Sequence, residues 1–106
     1  MIMDKYILDG KKPIRVSDIN VWGKFLEGKE RIVAQDEINK DCHISTVFLG
    51  LDHSYGDEDP ILFETMIFGG IHDMYQERYR TWEESEKRHK QLVKLLKQGE
   101  KDLDPA

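Results

Sequence analysis

The sequence predicts an α+β domain in which two helices pack on one face of an antiparallel sheet of about four strands. Residues 31–69 are rich in β-branched and aromatic side chains, and clusters of turn-forming residues divide them into short segments. Before and after this region, apolar residues at spacings of three and four predict the helices. The 106 residues suffice for one hydrophobic core, so we expect a single domain over residues 1–106.

A hairpin and a short helix open the chain. Asp9-Gly10 lies between two short extended segments and is a strong signal for a tight turn. Helical spacing follows, and we expect a helix over residues 17–27 with Ser17 as its N-cap. Gly28 is a suitable residue to end it.

Four strands and a long helix complete the predicted fold. We expect the strands at residues 31–38, 43–53, 60–69 and 74–80. The second helix is predicted over residues 82–98, because Thr81 and Glu84 have the spacing of a capping box and an apolar stripe follows them. We expect the tail after this helix to be a polar end.

The loop between the two central strands sets their register. If it joins Asp52–His53 to Pro60–Ile61, Leu49 lies opposite Glu64, and side chains alternate between two faces. The first face carries the more apolar set, namely Val47, Leu49, Leu51, Leu62, Glu64 and Met66. The second face carries a mixed set, namely Ile44, Thr46, Phe48, Gly50, Phe63, Thr65 and Ile67. We therefore expect the two helices to cover the first face.

One acidic and one basic side chain fall among apolar positions. Glu64 points into the core in this arrangement, and His89 lies on the apolar stripe of the last helix. A buried carboxylate needs a partner, since otherwise its pKa rises, so we predict a structural polar pair between Glu64 and His89. The alternative is that Glu64 reaches water near a sheet edge. Because no nucleophile or cleft accompanies the pair, we predict no catalytic residue and no enzymatic activity.

The second face has the composition of an interface. It is too apolar for a solvated surface and too polar for a deep core. The residues that we expect to contact a partner are Arg31, Gln35, Phe48, Phe63 and Thr65, with Asp57, Glu58 and Asp59 of the acidic loop. The expected partner is a protein with a basic surface, or a second copy of this chain. The alternative is that Tyr75, Tyr79 or the N-terminal hairpin covers this face.

The composition excludes several classes of function. A formal net charge of −5 argues against nucleic-acid binding, which needs clustered lysines and arginines. With one cysteine, Cys42, and no apolar run of about 18 residues, we expect no intrachain disulfide, no membrane span and a cytoplasmic location. Cys42–His43 and His72–Asp73 look like ligand pairs, but neighbouring strand residues point to opposite faces, so each pair supplies one ligand. We predict no metal and no cofactor.

Three segments of the chain carry a resemblance. They are "KYILDG", "STVFLGLDHSYGDEDPILFETMIFGG" and "ERYRTWEESEKRH", and together they span most of residues 5–93. With these segments the chain resembles small uncharacterised proteins that tailed bacteriophages and prophages encode. The resemblance implies an accessory protein made inside a bacterial cell, and it carries over no catalytic residue. It favours proteins that bind and modulate host machinery.

We therefore expect a non-enzymatic binding protein that modulates a host protein, for example an anti-CRISPR inhibitor of a bacterial defence system. A first alternative is a homo-oligomeric sponge for a nucleotide second messenger. Its binding residues would be Arg31, Arg78 and an aromatic such as Tyr79 or Trp22. A second alternative is a small metal-binding protein or enzyme built on His53, His72 or His89. A structural role in the phage particle is the third.

Overall fold

Residues 4–54 and 59–104 are the part of the chain that the computed structural model describes, and they form two α-helices and two antiparallel sheets. In chain order the elements are β1 Lys5–Asp9, β2 Lys12–Val16, α1 Ile19–Glu27, β3 Ile32–Asn39, β4 Cys42–Phe48, β5 Phe63–Phe68, β6 Gln76–Tyr79 and α2 Trp82–Lys97. A 3₁₀ turn, Lys29–Arg31, precedes β3. β1 pairs with β2, and the other strands form one sheet in the order β3-β4-β5-β6. The predicted α+β class is confirmed.

The N-terminal hairpin and α1 follow from local turn and capping signals. β1 and β2 pair antiparallel, and Gly10 takes a φ of +62° in the turn between them. The N-cap of α1 is Asp18 rather than the predicted Ser17, because Asp18 Oδ1 accepts the backbone N–H groups of Asn20 (2.8 Å) and Val21 (3.4 Å). A carboxylate at this position also interacts favourably with the positive end of the helix dipole.

α2 begins where the sequence predicts. Thr81 Oγ1 accepts the backbone N–H of Glu84 at 3.1 Å, and Glu84 Oε1 accepts the backbone N–H of Thr81 at 3.2 Å. These two reciprocal hydrogen bonds confirm the capping box. Among the residues that the structure describes, no helix is long and apolar enough to cross a membrane.

The two central strands pair two residues away from the predicted register. Val47 lies opposite Glu64, and Ile44 lies opposite Ile67. A shift of two residues leaves each side chain on its expected face, because side chains alternate along a strand. β4 ends earlier and β5 begins later than predicted.

The buried face of this sheet is the second one, so the prediction that the helices cover the first face is wrong. Its fully buried side chains are Ile44, Thr46, Phe48, Phe63, Thr65 and Ile67. The leucines that made the first face seem more apolar, Leu49, Leu51 and Leu62, lie beyond the ends of β4 and β5. The hydroxyl oxygens of Thr46 and Thr65 lie 2.5 Å apart in a hydrogen bond, and a paired polar group can be buried at low cost.

Two apolar clusters fill the space between the buried face and the elements that cover it. The first contains Leu8, Phe48, Leu62, Phe63 and Tyr79, with Tyr6, Phe25, Val33 and Trp82 packed against it. The second contains Cys42, Ile44, Ile67, Leu92 and Leu103, with Ile38, Tyr75, Val93, Leu95 and Leu96 packed against it. The hairpin, α1 and the first residue of α2 thus contribute to the first cluster, whereas the rest of α2 and the residues after it contribute to the second.

The residues after α2 return to the core. Leu103 is 5% exposed and belongs to the same cluster as Leu92, so the prediction of a wholly polar end is wrong. The return starts at Gly99, whose φ of +71° suits the residue after a helix. The backbone N–H of Glu100 donates to the carbonyl of Leu95 at 3.0 Å, which directs the chain back along α2.

Candidate functional site

The sheet face opposite α2 is not covered by either of the two described helices. We call it the open sheet face, and its residues are Gln35, Glu37, His43, Ser45, Val47, Glu64, Met66, Phe68, Gln76 and Arg78. On this face, the side chains from the inner strands β4 and β5 are half-buried except for His43, which is exposed. The side chains from the edge strands β3 and β6 are exposed. This face therefore combines a partly apolar centre with polar edges.

The inner strands of the open sheet face carry apolar and aromatic side chains beside Ser45 and Glu64. Val47 and Met66 lie on the neighbouring inner strands, and Phe68 follows Met66 on β5. The His43 ring stacks on the Phe68 ring, with centroids 4.8 Å apart and an interplanar angle of 19°. The two rings therefore cover part of each other's faces and form one aromatic pair on this side of the sheet.

An ion pair lies beside this centre. Arg78 Nε donates to Glu64 Oε2 at 3.0 Å, and the Gln76 amide donates to the same oxygen. The Glu64 side chain is 12% exposed, so its charge is partly desolvated and is balanced by Arg78.

The predicted pair between Glu64 and His89 is wrong, because the two side chains lie on opposite faces of the sheet. Glu64 is on the open sheet face, where Arg78 is its partner. His89 is buried on the other face, where its ring nitrogens contact Thr46 and Asp36. The predicted alternation of Glu64 with its strand neighbours was right, and the choice of buried face was wrong.

Three of the residues predicted to contact a partner belong to the core instead. Phe48, Phe63 and Thr65 have no exposed surface, so their predicted role at an interface is wrong. Gln35 is exposed and lies on the open sheet face, where its Nε2 donates to Ser45 Oγ at 3.0 Å.

Gln35 lies on the open sheet face, and not on the face predicted for it, because β3 contains an irregularity. The pairing of β3 with β4 shifts between Ile32 and Ala34, and Ala34 lies opposite the buried Thr46. An extra residue in one strand reverses the faces of all residues that follow it. Arg31, by contrast, is the last residue of the 3₁₀ turn and is half-buried.

The acidic loop is described only in part. Asp57 and Glu58 lie outside the described residues, whereas Asp59 is exposed and its carbonyl accepts Arg80 Nε at 3.0 Å. At the start of the loop, burial favours the protonated form of Asp52. Hydrogen bonds from Ser54 and from the backbone N–H of Ile61 outweigh this effect and lower the pKa of Asp52.

A chain of polar side chains runs beneath α2. Asp36 Oδ2 lies 2.7 Å from His89 Nε2, and His89 Nδ1 lies 2.7 Å from Thr46 Oγ1. Thr46 Oγ1 lies 2.5 Å from Thr65 Oγ1, which accepts the Tyr79 hydroxyl at 3.1 Å. A carboxylate, an imidazole and a hydroxyl in sequence are the parts of an activated nucleophile. Here the hydroxyl of Thr46 is fully buried, so no substrate reaches it.

A second polar cluster adjoins this chain. Arg88 Nε and Nη2 donate to the two Glu77 carboxylate oxygens at 2.7 and 3.2 Å, and the Tyr75 hydroxyl donates to the same carboxylate at 2.5 Å. Burial favours protonation of Glu77, but the hydrogen bonds from Arg88 and Tyr75 outweigh it and lower the pKa of the carboxyl group. Arg88 also donates to the carbonyl of Leu103, which fixes the returning tail.

The predicted metal and nucleotide residues do not form one site. Within residues 4–54 and 59–104, no group of three His, Cys, Asp or Glu side chains is placed to hold a metal ion. His72 Nε2 contacts the carbonyl of Glu100 at 2.9 Å, and His53 is half-buried in the connection after β4. Of the residues proposed for a nucleotide, Tyr79 is buried and Trp22 Nε1 donates to the carbonyl of Gly50 at 2.9 Å.

Cys42 and His43 point to opposite faces, as their positions on one strand predict. Cys42 is buried and His43 is exposed. Burial, together with the negative charge of Asp73, raises the pKa of the Cys42 thiol. A thiol of raised pKa in an apolar cluster is a packing group rather than a ligand.

Two of the clefts that the described residues line adjoin clusters of charged side chains. One of about 600 Å³ adjoins the stacked rings of His43 and Phe68, and three acidic residues and one lysine border it: Asp36, Glu37, Asp41 and Lys40. The other, of about 320 Å³, lies between the β1–β2 turn and the start of α2. Its lining includes Lys11, Lys12, Arg80 and Trp82, with Asp9 and Glu83 as the acidic members.

No family model, curated protein or solved structure matches this chain. Its function is therefore inferred from its own surfaces and buried contacts. The open sheet face with its neighbouring acidic cleft combines aromatic, aliphatic and charged groups, a composition that protein interfaces share.

Proposed function

We propose that this chain is a non-enzymatic accessory protein encoded by a phage or prophage, and that it binds and modulates a host protein in the bacterial cytoplasm. A component of a defence system such as CRISPR is the kind of target that fits this role. The observation that carries the proposal is the open sheet face, which is partly apolar while the opposite face already holds the core. The phage origin rests on the resemblance of the central segment of the sequence.

The composition of the open sheet face supports a protein partner. Val47, Met66 and Phe68 provide an apolar centre, and the Glu64–Arg78 pair lies next to it. Protein interfaces have this organisation, with apolar and aromatic anchors inside a polar rim. Three of the ten residues that define this face, Val47, Met66 and Phe68, are apolar, and all three lie on the inner strands β4 and β5.

The charge around this face favours a partner with a basic surface. Asp36, Glu37 and Asp41 border the cleft beside the His43 and Phe68 rings, and the chain has a formal net charge of −5. Lysine or arginine side chains of a partner gain from both features, since they pair with carboxylates and lie well on aromatic faces. A second copy of this chain brings the same negative charge, which disfavours it as the occupant.

The buried polar groups support binding rather than catalysis. Among the described residues, Asp36, His89 and Thr46 come nearest to a catalytic arrangement. Because the Thr46 hydroxyl is fully buried beneath α2, it is out of reach of a substrate.

The test is capture of host proteins with matched variants of the purified chain. Met66→Glu places a charge at the centre of the open sheet face. Glu37→Lys reverses a charge at the edge of the same face, next to the acidic cleft. Ile19→Glu is the control, because Ile19 is 64% exposed on α1, away from this face. Circular dichroism establishes that each variant is folded. The captured host protein is then purified and its dissociation constant measured by calorimetry at two salt concentrations.

We expect one host protein to bind the wild type and Ile19→Glu equally. Met66→Glu should weaken binding at least about tenfold, and Glu37→Lys and added salt should each weaken it further. Equal binding by Met66→Glu, or no direct binding by the purified host protein, contradicts the proposal. A wild-type dimer that Met66→Glu converts to monomers in sedimentation assigns the face to a second copy instead.

A small anionic ligand, such as a nucleotide second messenger, is a second candidate. The cleft of about 320 Å³ favours it, because its three cationic side chains outnumber its two acidic ones, and these five residues are Lys11, Lys12, Arg80, Asp9 and Glu83. Lys11 Nζ lies 5.9 Å from the centroid of the Trp82 ring, so a cation and an aromatic ring lie side by side in this cleft. A rise in melting temperature with cyclic dinucleotides that Lys12→Glu abolishes supports this candidate. No rise with any nucleotide contradicts it.

A further inference from the structure

The polar chain beneath α2 connects the two edges of the four-stranded sheet. It starts at Asp36 on edge strand β3 and passes through His89, Thr46 and Thr65 to Tyr79 on edge strand β6. At the β6 end, the Tyr79 hydroxyl also lies within hydrogen-bonding distance of Glu77 Oε1, at 3.2 Å.

The interior of this chain is sealed from solvent. Thr46 and Thr65 have no exposed surface, and His89 is 1% exposed. Water does not reach these groups, so each of their hydrogen bonds must use a proton of one of these polar side chains. A buried hydroxyl or ring nitrogen without a hydrogen bond is costly. The number of available protons thus determines which atom donates in each contact.

With neutral His89 the protons are ordered towards Asp36. The Asp36 carboxylate only accepts, so His89 Nε2 carries the ring proton and Nδ1 accepts from Thr46. Thr46 has then used its proton, so it accepts from Thr65, and Thr65 accepts from Tyr79. Four protons fill the four contacts from Tyr79 to Asp36, and Tyr79 has none left for the carboxylate of Glu77.

With charged His89 the order reverses. Both ring nitrogens now donate, so Nδ1 donates to Thr46 and Thr46 must donate to Thr65. Thr65 then turns its proton to the Tyr79 oxygen, which reverses the observed contact in which Tyr79 is the donor, and the Tyr79 proton turns to Glu77. Five protons fill five contacts, one of which is the contact between Tyr79 and Glu77.

We propose that these side chains form a reversible proton-ordered relay, in which protonation of His89 turns every hydroxyl and delivers a hydrogen bond to Glu77 at the opposite edge of the sheet. The proton that His89 takes up comes from water, and no bond between heavy atoms forms or breaks. His89 is the titrating group, and Thr46, Thr65 and Tyr79 are positioning residues that transmit its state.

The charged groups around the relay suit both states. Asp36, whose side chain is 47% exposed, faces His89 from β3 and accepts the Nε2 proton in both states. At the other end, Arg88 from α2 and the Tyr75 hydroxyl already hold Glu77 as an anion, so it accepts the additional proton donor. The relay therefore couples the charge of a buried histidine to the ion pair that holds α2 on β6.

The relay is tested by nuclear magnetic resonance of the full chain. The ¹⁵N shifts of His89 report which ring nitrogen is protonated, and the ¹³Cζ shift of Tyr79 reports the hydrogen bonds of its hydroxyl. Both are followed from about pH 8 to about pH 5, above the range in which carboxylates titrate. Thr65→Val removes the hydroxyl in the middle of the relay with little change in shape, and Ser45→Ala, on the open sheet face, is its matched control.

We expect wild-type His89 to carry its proton on Nε2 at high pH, and Tyr79 to change with the same midpoint as His89. In Thr65→Val, His89 still titrates while Tyr79 no longer follows, and Ser45→Ala behaves as the wild type. The wild-type measurements test the proposal even if Thr65→Val does not fold. A proton on Nδ1 at high pH, a His89 that never becomes charged, or a Tyr79 that is unchanged across the titration would overturn the relay, as would a Tyr79 that still follows in folded Thr65→Val.

Discussion

Arg88 of α2 holds Glu77 of β6 through two hydrogen bonds, from Nε at 2.7 Å and from Nη2 at 3.2 Å. The next residue of the helix, His89, contacts Asp36 on β3 at 2.7 Å. Because β3 and β6 are the two edge strands, consecutive residues of one helix attach it to both edges of the sheet. This arrangement fixes α2 across the buried face.

Removal of Arg88 should destabilise the protein strongly. The Arg88 side chain is 8% exposed, so Arg88→Ala leaves a partly buried carboxylate at Glu77 and an unpaired carbonyl at Leu103. We expect the free energy of unfolding to fall by about 2–4 kcal/mol in urea denaturation. Arg15→Ala is the control, because both partners of the Arg15–Asp4 ion pair are well exposed and its loss should change stability little. Equal effects of the two substitutions would contradict this role.

Glu77 should make the protein less stable in acid. Its pKa is lowered in the folded chain from an ordinary value of 4.5, so the unfolded chain binds a proton more readily than the folded one. The stabilisation is therefore complete above about pH 4.5 and is lost as pH falls towards the lower folded pKa. In urea denaturation at several pH values, Glu77→Gln should be less stable at neutral pH and should lose less stability on acidification. A fall as steep as that of the wild type would count against it.

Two phenylalanines of β5 should respond differently to truncation. Phe63 is fully buried and lies 5.4 Å from the ring of Phe48, whereas Phe68 is half-buried on the open sheet face. We expect Phe63→Ala to lower the free energy of unfolding by about 3–5 kcal/mol or to prevent folding. Phe68→Ala should cost about 1 kcal/mol and should weaken binding of the host protein. Similar melting temperatures for the two variants would show that the buried face has been assigned incorrectly.

Leu103 should stabilise the fold although it lies in a charged tail. It is 5% exposed in the cluster with Leu92 and Ile44. Leu103→Ala should therefore lower the free energy of unfolding by about 2–3 kcal/mol, as removal of a buried leucine side chain does. The exposed neighbour Lys101 provides the control, and Lys101→Ala should change stability by less than about 0.5 kcal/mol. Thermal denaturation of the two variants decides the matter, and no difference between them would mean that the tail does not pack on the core.

Local features could be predicted from the sequence because short-range rules govern them. The Asp9-Gly10 turn, the Thr81–Glu84 capping box and the alternation of side chains along β4 and β5 all depend on residues a few positions apart. Even the N-cap of α1 was missed by one residue only, since Ser17 and Asp18 are both good capping residues.

The irregularity in β3 could not be predicted in this way. The register shift between Ile32 and Ala34 places Gln35 on the open sheet face. The segment contains no glycine or proline that would predict such a shift. The path of the tail was likewise hidden, because Leu103 is an isolated apolar residue among charged ones.

Residue spacing and local propensity predict the order of helices and strands, their approximate bounds and the division of the central strands into two faces. Which face is buried depends on contacts between segments that are far apart in the chain. The number of apolar residues favours burial of the face that carries Val47 and Met66. The hydroxyls of Thr46 and Thr65 can nevertheless be buried, because they hydrogen-bond to each other and Thr46 also hydrogen-bonds to His89. His89 in turn bonds Asp36, 53 positions earlier in the chain. Such hydrogen bonds form only when distant segments of the chain meet, so local composition cannot predict them.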